Sequence, residues 1–222
     1  MTFSKISVLV PTRRRPARLA AMIESYDRTE GGASELVFRI DDDDELSPAV
    51  LESAGRRVVV GKRLGGYASM AAFFNELYLA STGDVLMCGN DDMVFKTVGW
   101  DRLILDAANR FADGIFCFGT KTYNETHYPF AAISKFAADA MGYFWHPRVA
   151  WGDVFLRDVM AAFDRAAILD HVEIAHDWAG FAPDQTFNEE NQNDIYRREP
   201  NYWPDVHERA VAESIAKLRR AA

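Results

Sequence analysis

The N-terminal half of the chain contains four short apolar runs that end abruptly in polar or turn-forming residues. The runs span residues 6–10, 36–40, 57–61 and 85–88. They are rich in valine, isoleucine and leucine and are bounded by proline, glycine or aspartate, a pattern that predicts β-strands.

Helical spacing of apolar residues separates these runs. Leu19, Met22 and Ile23 recur at helical intervals after Pro16, and a second helix is predicted over about 69–80. Alternating strands and helices indicate an α/β fold with a mostly parallel, twisted central sheet flanked by helices. In such sheets, ligands bind beyond the carboxyl ends of the strands.

The C-terminal half is less regular. Strands are predicted at 115–119 and 171–176, and helices at about 133–143, 154–166 and 209–220. Aromatic residues are concentrated between Tyr123 and Trp151, where they could form core or a ligand site. No repeat or low-complexity linker marks a domain boundary, so we expect a single domain over residues 1–222.

Composition and charge narrow the class of protein. The chain has 33 Asp and Glu against 25 Lys and Arg, a net charge of −8, which disfavours non-specific binding of nucleic acid or of an anionic membrane. No apolar segment approaches the roughly 20 residues that span a bilayer, and the N-terminus lacks a signal-peptide core. Cys88 and Cys117 lie in apolar runs, typical of buried thiols in a reducing compartment. We therefore expect a cytoplasmic protein.

Polar residues that could bind a nucleotide or a metal ion follow each of the four N-terminal strands. They are Thr12 and Arg13, Asp41 to Asp44, Lys62 and Arg63, and Asn90, Asp91 and Asp92. The last group offers oxygen ligands suited to Mg²⁺ or Mn²⁺. A solvated turn is the alternative, since Asn and Asp favour turns, but the apolar sequence that resumes at once favours a site.

The other strand ends allow similar alternatives. Asp41 and Asp42 are placed to accept hydrogen bonds from a base or a ribose, whereas Asp43 and Asp44 are more typical of a charged loop. Lys62 and Arg63 could neutralise a diphosphate or lie on the surface. The Gly65-Gly66 pair that follows is more often a bend than a phosphate cradle.

Two further residues have side chains suited to catalysis or metal binding. Asp153 begins a predicted helix in an aromatic setting and is either its N-cap or a general base. His176 ends the last predicted strand, where a structural role is the commoner one but where its imidazole could complete a metal site.

Several of these motifs occur in the order found in family-two-like glycosyltransferases of the GT-A fold. ISVLVPTRRRPARLAAMIES resembles the family's first strand, its Val-Pro-Thr-Arg turn and the next helix, and LVFRIDDDDE resembles its second strand. GGYASMAAFFNELYLASTGDVLMCGNDDMVF is similar to the segment with the family's helix asparagine, Gly-Asp pair and Asp-x-Asp metal motif. GDVFL is similar to the Glu-Asp-x-x-Leu segment. The resemblance covers most of residues 4 to 178.

Together with the strand-end residues, this resemblance implies a donor site, a metal site and a base. The donor-binding residues are Pro11, Thr12, Arg13, Asp41, Asp42, Lys62, Arg63, Asn75, Asn90 and Asp91. The ligands of a Mn²⁺ or Mg²⁺ ion are Asp92, Asp91 and His176. Asp153 falls at the catalytic base of inverting members.

The resemblance therefore implies a metal-dependent glycosyltransferase that moves a sugar from a UDP-sugar to an acceptor hydroxyl with inversion. About 1–95 would hold the nucleotide sugar, and about 96–222 would hold the acceptor and the C-terminal helix. The acceptor stays open between a saccharide, a modified nucleobase and a protein hydroxyl. Residues 188–202 are either a surface loop, the commoner case, or a flap over the donor.

Three departures from the family pattern matter. Asn90 stands where the metal motif has its first acid, and Gly152 replaces the glutamate beside Asp153. The Gln-x-x-Arg-Trp motif of processive synthases is absent, which favours a single-transfer enzyme. Two other classes stay open: a nucleotidyltransferase, although the first turn lacks its glycine-rich loop, and a non-catalytic nucleotide-sugar or carbohydrate-binding protein of the same fold.

Overall fold

The computed structural model describes residues 1–64, 69–122, 128–176 and 204–221. Its strands are β1 (Ile6–Pro11), β2 (Ser34–Asp41), β3 (Arg57–Gly61), β4 (Val85–Cys88), β5 (Met93–Phe95), β6 (Cys117–Lys121), β7 (Ala132–Ser134) and β8 (Ala166–His176). Its helices are α1 (Pro16–Thr29), α2 (Ser47–Ser53), α3 (Met70–Ala80), α4 (Trp100–Ala108), α5 (Lys135–Met141), α6 (Gly152–Ala161) and α7 (Pro204–Ala221). None of the helices in these ranges is long and apolar enough to cross a bilayer. Gly65-Gly66 and residues 188–202 lie outside the described residues.

The strands form one eight-stranded sheet in the order β3-β2-β1-β4-β7-β6-β8-β5. The first four strands of this order are parallel, and β6 and β8 are also parallel. β7 runs antiparallel to β4 and β6, and β5 antiparallel to β8. The carboxyl ends of β1 to β4 therefore share one edge, which confirms the predicted α/β architecture.

Core side chains cover both faces of the sheet, and β1 shows why its sequence is continuously apolar. Val8 and Val10 belong to one core cluster together with Leu19 of α1. Leu9 points to the opposite face and belongs to the other cluster, with Phe74 of α3. Because successive strand residues face opposite sides, a strand buried on both faces needs apolar residues at every position.

The elements of the C-terminal half differ most from their sequence predictions. Ile133 was expected to be helical but pairs with Leu86 in β7. Helix α5 starts only after Ser134, whose Oγ accepts a hydrogen bond of 2.9 Å from the backbone N of Ala137. The helix predicted to reach residue 166 ends at Ala161, and β8 takes up the chain from Ala166. Helices α2 and α4 and strand β5 were not predicted.

Glu35 joins three segments at the amino-terminal edge of the sheet. Its carboxylate accepts hydrogen bonds from Lys5 Nζ at 2.8 Å, from Ser7 Oγ at 2.6 Å and from the backbone N of Thr82 at 2.9 Å. Burial alone would raise the pKa of Glu35, but these hydrogen bonds outweigh it and lower the pKa to about 2. The ionised carboxylate therefore stabilises the folded state.

Glu35→Gln should lower the free energy of unfolding at pH 7 by about 2 kcal/mol, measured by urea titration. Because the folded pKa lies below the ordinary value of 4.5, the contribution is complete above about pH 4.5 and is lost as the pH falls towards 2. The difference between the two proteins should shrink over that range. Glu52→Gln, at an exposed position of α2, is the control, and a pH-independent difference would contradict the assignment to charge.

Candidate active site

Thr12 and Asp91 connect the carboxyl ends of β1 and β4. Thr12 Oγ1 donates to Asp91 Oδ2 at 2.7 Å, and Arg15 Nη1, from the turn before α1, donates to Asp91 Oδ1 at 3.2 Å. Asp91 is 3% exposed. Burial raises the pKa of Asp91, and the charge of Arg15 and the hydrogen bond from Thr12 offset only part of that rise. Both oxygens of Asp91 accept hydrogen bonds from the protein, and its predicted role as a metal ligand stays a prediction.

Asp41 lies between two arginines at the end of β2. Arg13 Nη1 donates to Asp41 Oδ2 at 2.9 Å, and Arg39 Nη1 donates to Oδ1. Arg39 is 2% exposed, with its Cζ 3.8 Å from the centroid of the Phe73 ring and its Nε 3.1 Å from Glu76. A carboxylate oxygen can accept more than one hydrogen bond, so Asp41 is held rigidly and can still accept one from a base.

The remaining residues of the acidic tract have separate partners. Asp42 is exposed, and its Oδ1 accepts a hydrogen bond of 3.0 Å from the backbone N of Arg63. The hydrogen bond from Arg13 lowers the pKa of Asp43 to about 2. Asp44 is 5% exposed and accepts from the backbone N of Arg14 at 2.9 Å and from Ser47 Oγ at 2.7 Å. Asp44 therefore lies in the charged loop after β2, as expected, but it is buried there and caps the chain before α2.

The end of β3 places two cations beside this tract. Lys62 and Arg63 are both exposed, and Arg63 Nη1 lies 3.3 Å from Asp43 Oδ2. Because both side chains are exposed, they could contact either solvent or a bound diphosphate, and their role stays a prediction.

Asp92 and His176 face each other where β5 meets β8. Met93, the neighbour of Asp92, is paired with His176 across these antiparallel strands, which brings Asp92 Oδ1 to 3.1 Å from His176 Nδ1. The two side chains are 15% and 10% exposed, and the Phe130 ring stacks on the imidazole at 4.8 Å. Asp92 Oδ1 is buried, and apart from the His176 imidazole it faces no hydrogen-bond donor among the described residues.

This pair is a donor set that suits a divalent metal ion. A carboxylate oxygen and an imidazole nitrogen are both good ligands of Mn²⁺. In the described ranges, no group of three or more His, Cys, Asp or Glu side chains could hold a metal ion, so within these ranges the pair supplies two ligands. Asn90 is half-buried at the start of the turn, where its carbonyl accepts from the backbone N of Met93 at 3.3 Å.

Asp153 lies in the first turn of α6 and is not its N-cap, because that position belongs to Trp151. Burial is the main cause of the raised pKa of Cys88 and of Cys117, and the negative charge of Asp153 is the second cause. The Asp153 carboxylate therefore lies near Cys88, the last residue of β4, and near Cys117, the first residue of β6. This position is compatible with a general base facing the site.

Asn75 holds the loop before α6. Its Nδ2 donates to the carbonyl of Trp145 at 2.7 Å, and its Oδ1 accepts from the backbone N of Phe144 at 2.8 Å and of Trp145 at 3.1 Å. These contacts assign Asn75 to the loop and do not support a direct contact with a donor.

Arg15 and Arg39 hold the carboxylates of this site but were not predicted as parts of it. Arg39 interrupts an otherwise apolar strand, and a charge in a buried strand requires an acidic partner nearby. Arg15 is the third of three consecutive arginines, whose like charges require separate counter-ions. Both signals were present in the sequence.

No protein-family model and no curated protein sequence matches this chain. Solved structures do match. A mannosyltransferase from Pyrobaculum calidifontis, PcManGT in complex with GDP-Man and Mn²⁺, is 14% identical with a TM-score of 0.65 over 100% of this chain and 74% of its own. Glucosyl-3-phosphoglycerate synthase from Mycobacterium tuberculosis, in complex with Mn²⁺, UDP-glucose and phosphoglyceric acid, is 12% identical with a TM-score of 0.57 over 97% and 80%. TarS from S. aureus is 14% identical with a TM-score of 0.59 over 96% and 43%.

The chain has the GT-A fold. At these identities the likeness establishes architecture and not chemistry. In the GT-A fold of this chain, Thr12, Asp41 and Asp91 lie together at the carboxyl edge, and the Asp92–His176 pair lies where β5 follows directly after β4.

Proposed function

We propose that this chain is a metal-dependent glycosyltransferase that moves a sugar from a UDP-sugar to an acceptor hydroxyl. The observation that carries the proposal is the Asp92–His176 pair, with 3.1 Å between Oδ1 and Nδ1, next to the strand-end cluster of Thr12, Arg13 and Asp41. Support comes from two solved GT-A structures that contain a nucleotide sugar together with Mn²⁺.

The nucleoside would be held by Pro11, Thr12, Arg13, Asp41 and Asp42. The Arg13–Asp41 contact of 2.9 Å presents an N–H donor beside a carboxylate acceptor. This arrangement complements a base such as uracil, whose ring N–H lies next to carbonyl oxygens. Lys62 and Arg63 are exposed cations at the neighbouring strand end and would lower the cost of bringing a diphosphate to an acidic edge.

The cation would be held by Asp92 and His176, whose carboxylate oxygen and imidazole nitrogen are suitable ligands for Mn²⁺. When bound, Mn²⁺ or Mg²⁺ neutralises charge on the leaving diphosphate. Asn90 borders this position and offers an uncharged amide oxygen in place of the first acid of the family motif.

Asp153 would take the proton from the acceptor hydroxyl. The hydroxyl oxygen then forms a bond to the anomeric carbon while the bond from that carbon to the diphosphate breaks, which inverts its configuration. Trp151 is 52% exposed two residues before Asp153, and its ring suits the apolar face of a saccharide acceptor. Residues 1–95 would thus bind the donor and residues 96–222 the acceptor.

A panel of UDP- and GDP-sugars, each with Mn²⁺ or with EDTA, tests the proposal. We expect release of UDP from a UDP-sugar that depends on Mn²⁺ and is stimulated by a saccharide acceptor, with inversion visible by NMR at the anomeric carbon. Binding of a nucleotide sugar without turnover for any acceptor would indicate a non-catalytic binding protein. Release of pyrophosphate from a nucleoside triphosphate and a sugar phosphate would indicate a nucleotidyltransferase.

A further inference from the structure

The indole of Trp145 is fixed in the loop that precedes α6. Trp145 is 7% exposed, and its ring stacks on Phe74 of α3 with centroids 4.9 Å apart and an interplanar angle of 21°. Its Nε1 donates to the carbonyl of Val149 at 2.7 Å. Asn75 accepts a hydrogen bond from its backbone N and donates one to its carbonyl. The ring therefore has little freedom to move.

Gly152, the first residue of α6, lies directly against this ring. A Cβ atom at position 152 would come within 1.9 Å of Trp145 Cδ2 and 2.1 Å of Cε2. Both distances are far shorter than any van der Waals contact, so a side chain at this position requires either the indole or the helix to move. The indole thus occupies the space where a glutamate side chain would begin in the related Glu-Asp-x-x-Leu segment.

We propose that Asn75, Trp145 and Gly152 form a positioning unit that sets the location of Asp153. Asn75 holds the loop by hydrogen bonds, and the loop holds the indole of Trp145. The indole in turn packs against Gly152, the first residue of α6, and Asp153 is the second residue of that helix. Because a misplacement of about 1 Å can cost a hundredfold in rate, a rigid support beneath this turn determines how well the carboxylate meets the acceptor. The inference rests on the proposed role of Asp153 as the base.

Gly152→Ala tests the positioning unit. The added methyl group should push the first turn of α6 away from the indole and lower kcat by about tenfold to a hundredfold. The KM for the donor and the Mn²⁺ requirement should stay within about twofold, because Thr12, Arg13 and Asp92 lie on other elements. In Gly152→Ala/Trp145→Leu, which lacks the clashing ring atoms, much of the lost kcat should return.

Gly83→Ala is the matched control. Its added Cβ would come within 2.6 Å of the backbone N of Ser7, at the opposite edge of the sheet, so it should lower the melting temperature without changing kcat of the folded protein. An equal loss of kcat in Gly83→Ala, or no recovery in the double variant, would reduce the effect of Gly152→Ala to general destabilisation and overturn the inference.

Asn75→Ala separates the positioning role from the donor-binding role that the family resemblance implies. Positioning predicts a fall in kcat of about tenfold with an unchanged donor KM. A raised donor KM with unchanged kcat would remove Asn75 from the unit and return it to the donor site.

A crystal structure of Gly152→Ala provides a readout that does not depend on turnover. We expect the start of α6 to be displaced by roughly 1 Å relative to β4, and an undisplaced helix would overturn the positioning unit. Failure of the proposed function gives a different result, because the unaltered chain would then release no UDP from any donor while the displacement in Gly152→Ala persisted.

Discussion

Asp153→Asn is expected to lower the rate of sugar transfer by about a thousandfold while the affinity for a UDP-sugar stays unchanged. The amide has nearly the same size and shape as the carboxylate but cannot take a proton from an acceptor hydroxyl, and a general base contributes about 10²- to 10⁴-fold. The proposed donor contacts lie on Thr12, Arg13 and Asp92, which belong to other elements. Steady-state kcat with a saccharide acceptor and calorimetric titration with the donor measure the two quantities separately.

Asp106→Asn is the matched control for this substitution. Asp106 is an exposed residue of α4, so loss of its charge should leave both transfer and donor binding unchanged. Normal turnover by the Asp153→Asn variant would remove Asp153 as the base. Loss of donor binding in that variant would show that Asp153 contacts the nucleotide sugar.

The N-terminal half of the fold was predictable largely because β1, β4 and most of β2 are buried. In β1, burial on both sides makes the strand a continuous apolar run, and the polar turn at Thr12 marks its end sharply. Helix α2, by contrast, contributes only Ser47 and Leu51 to the buried interior. Such a short segment with one buried apolar side chain has no recognisable periodicity.

The start of α5 could not be predicted for a different reason. Ala132 and Ile133 have the apolar character of a helix that continues into 135–141, but tertiary pairing of Ile133 with Leu86 keeps them in β7. The hydrogen bond that caps the helix at Ser134 is the local signal that marks the true boundary.

The location of the acidic site was predictable, whereas the partner of each carboxylate was not. Parallel strands place their carboxyl ends at one edge, so Asp41 and Asp91 had to lie close together. Asp91 and Asp92 are adjacent and chemically identical, but Asp91 accepts a hydrogen bond from Thr12, whereas Asp92 contacts His176. His176 is distant in sequence, and only the β5–β8 register brings it to Asp92.

Two of the three departures from the family pattern concern single residues of the candidate site, and the structure explains one of them. Position 152 is a glycine because the Trp145 ring leaves no room there for a side chain. No contact among the described residues explains the amide at Asn90.

Removal of the Asp92 carboxylate is the second change with a large expected effect. Asp92→Asn should lower transfer by about a hundredfold and raise the Mn²⁺ concentration needed for half-maximal activity, because the pair with His176 then loses its charged ligand. His176→Gln should act in the same direction by about tenfold, since an imidazole suits Mn²⁺ better than an amide does. Electron paramagnetic resonance of Mn²⁺ in the presence of UDP measures binding of the ion without turnover.

Two neighbouring residues provide the comparison that decides which carboxylate holds the ion. Asp91→Asn weakens the contacts with Thr12 and Arg15, so it should lower the unfolding free energy while the folded protein keeps its Mn²⁺ half-saturation. His171→Gln changes an exposed histidine of the same strand as His176 and should leave Mn²⁺ binding unchanged. If Asp91→Asn lost Mn²⁺ binding and Asp92→Asn kept it, the ligand would be Asp91, and its bonds to Thr12 and Arg15 would have to open on binding. Full activity in EDTA would exclude a metal from the reaction altogether, and the Asp92–His176 pair would then be a structural contact between β5 and β8.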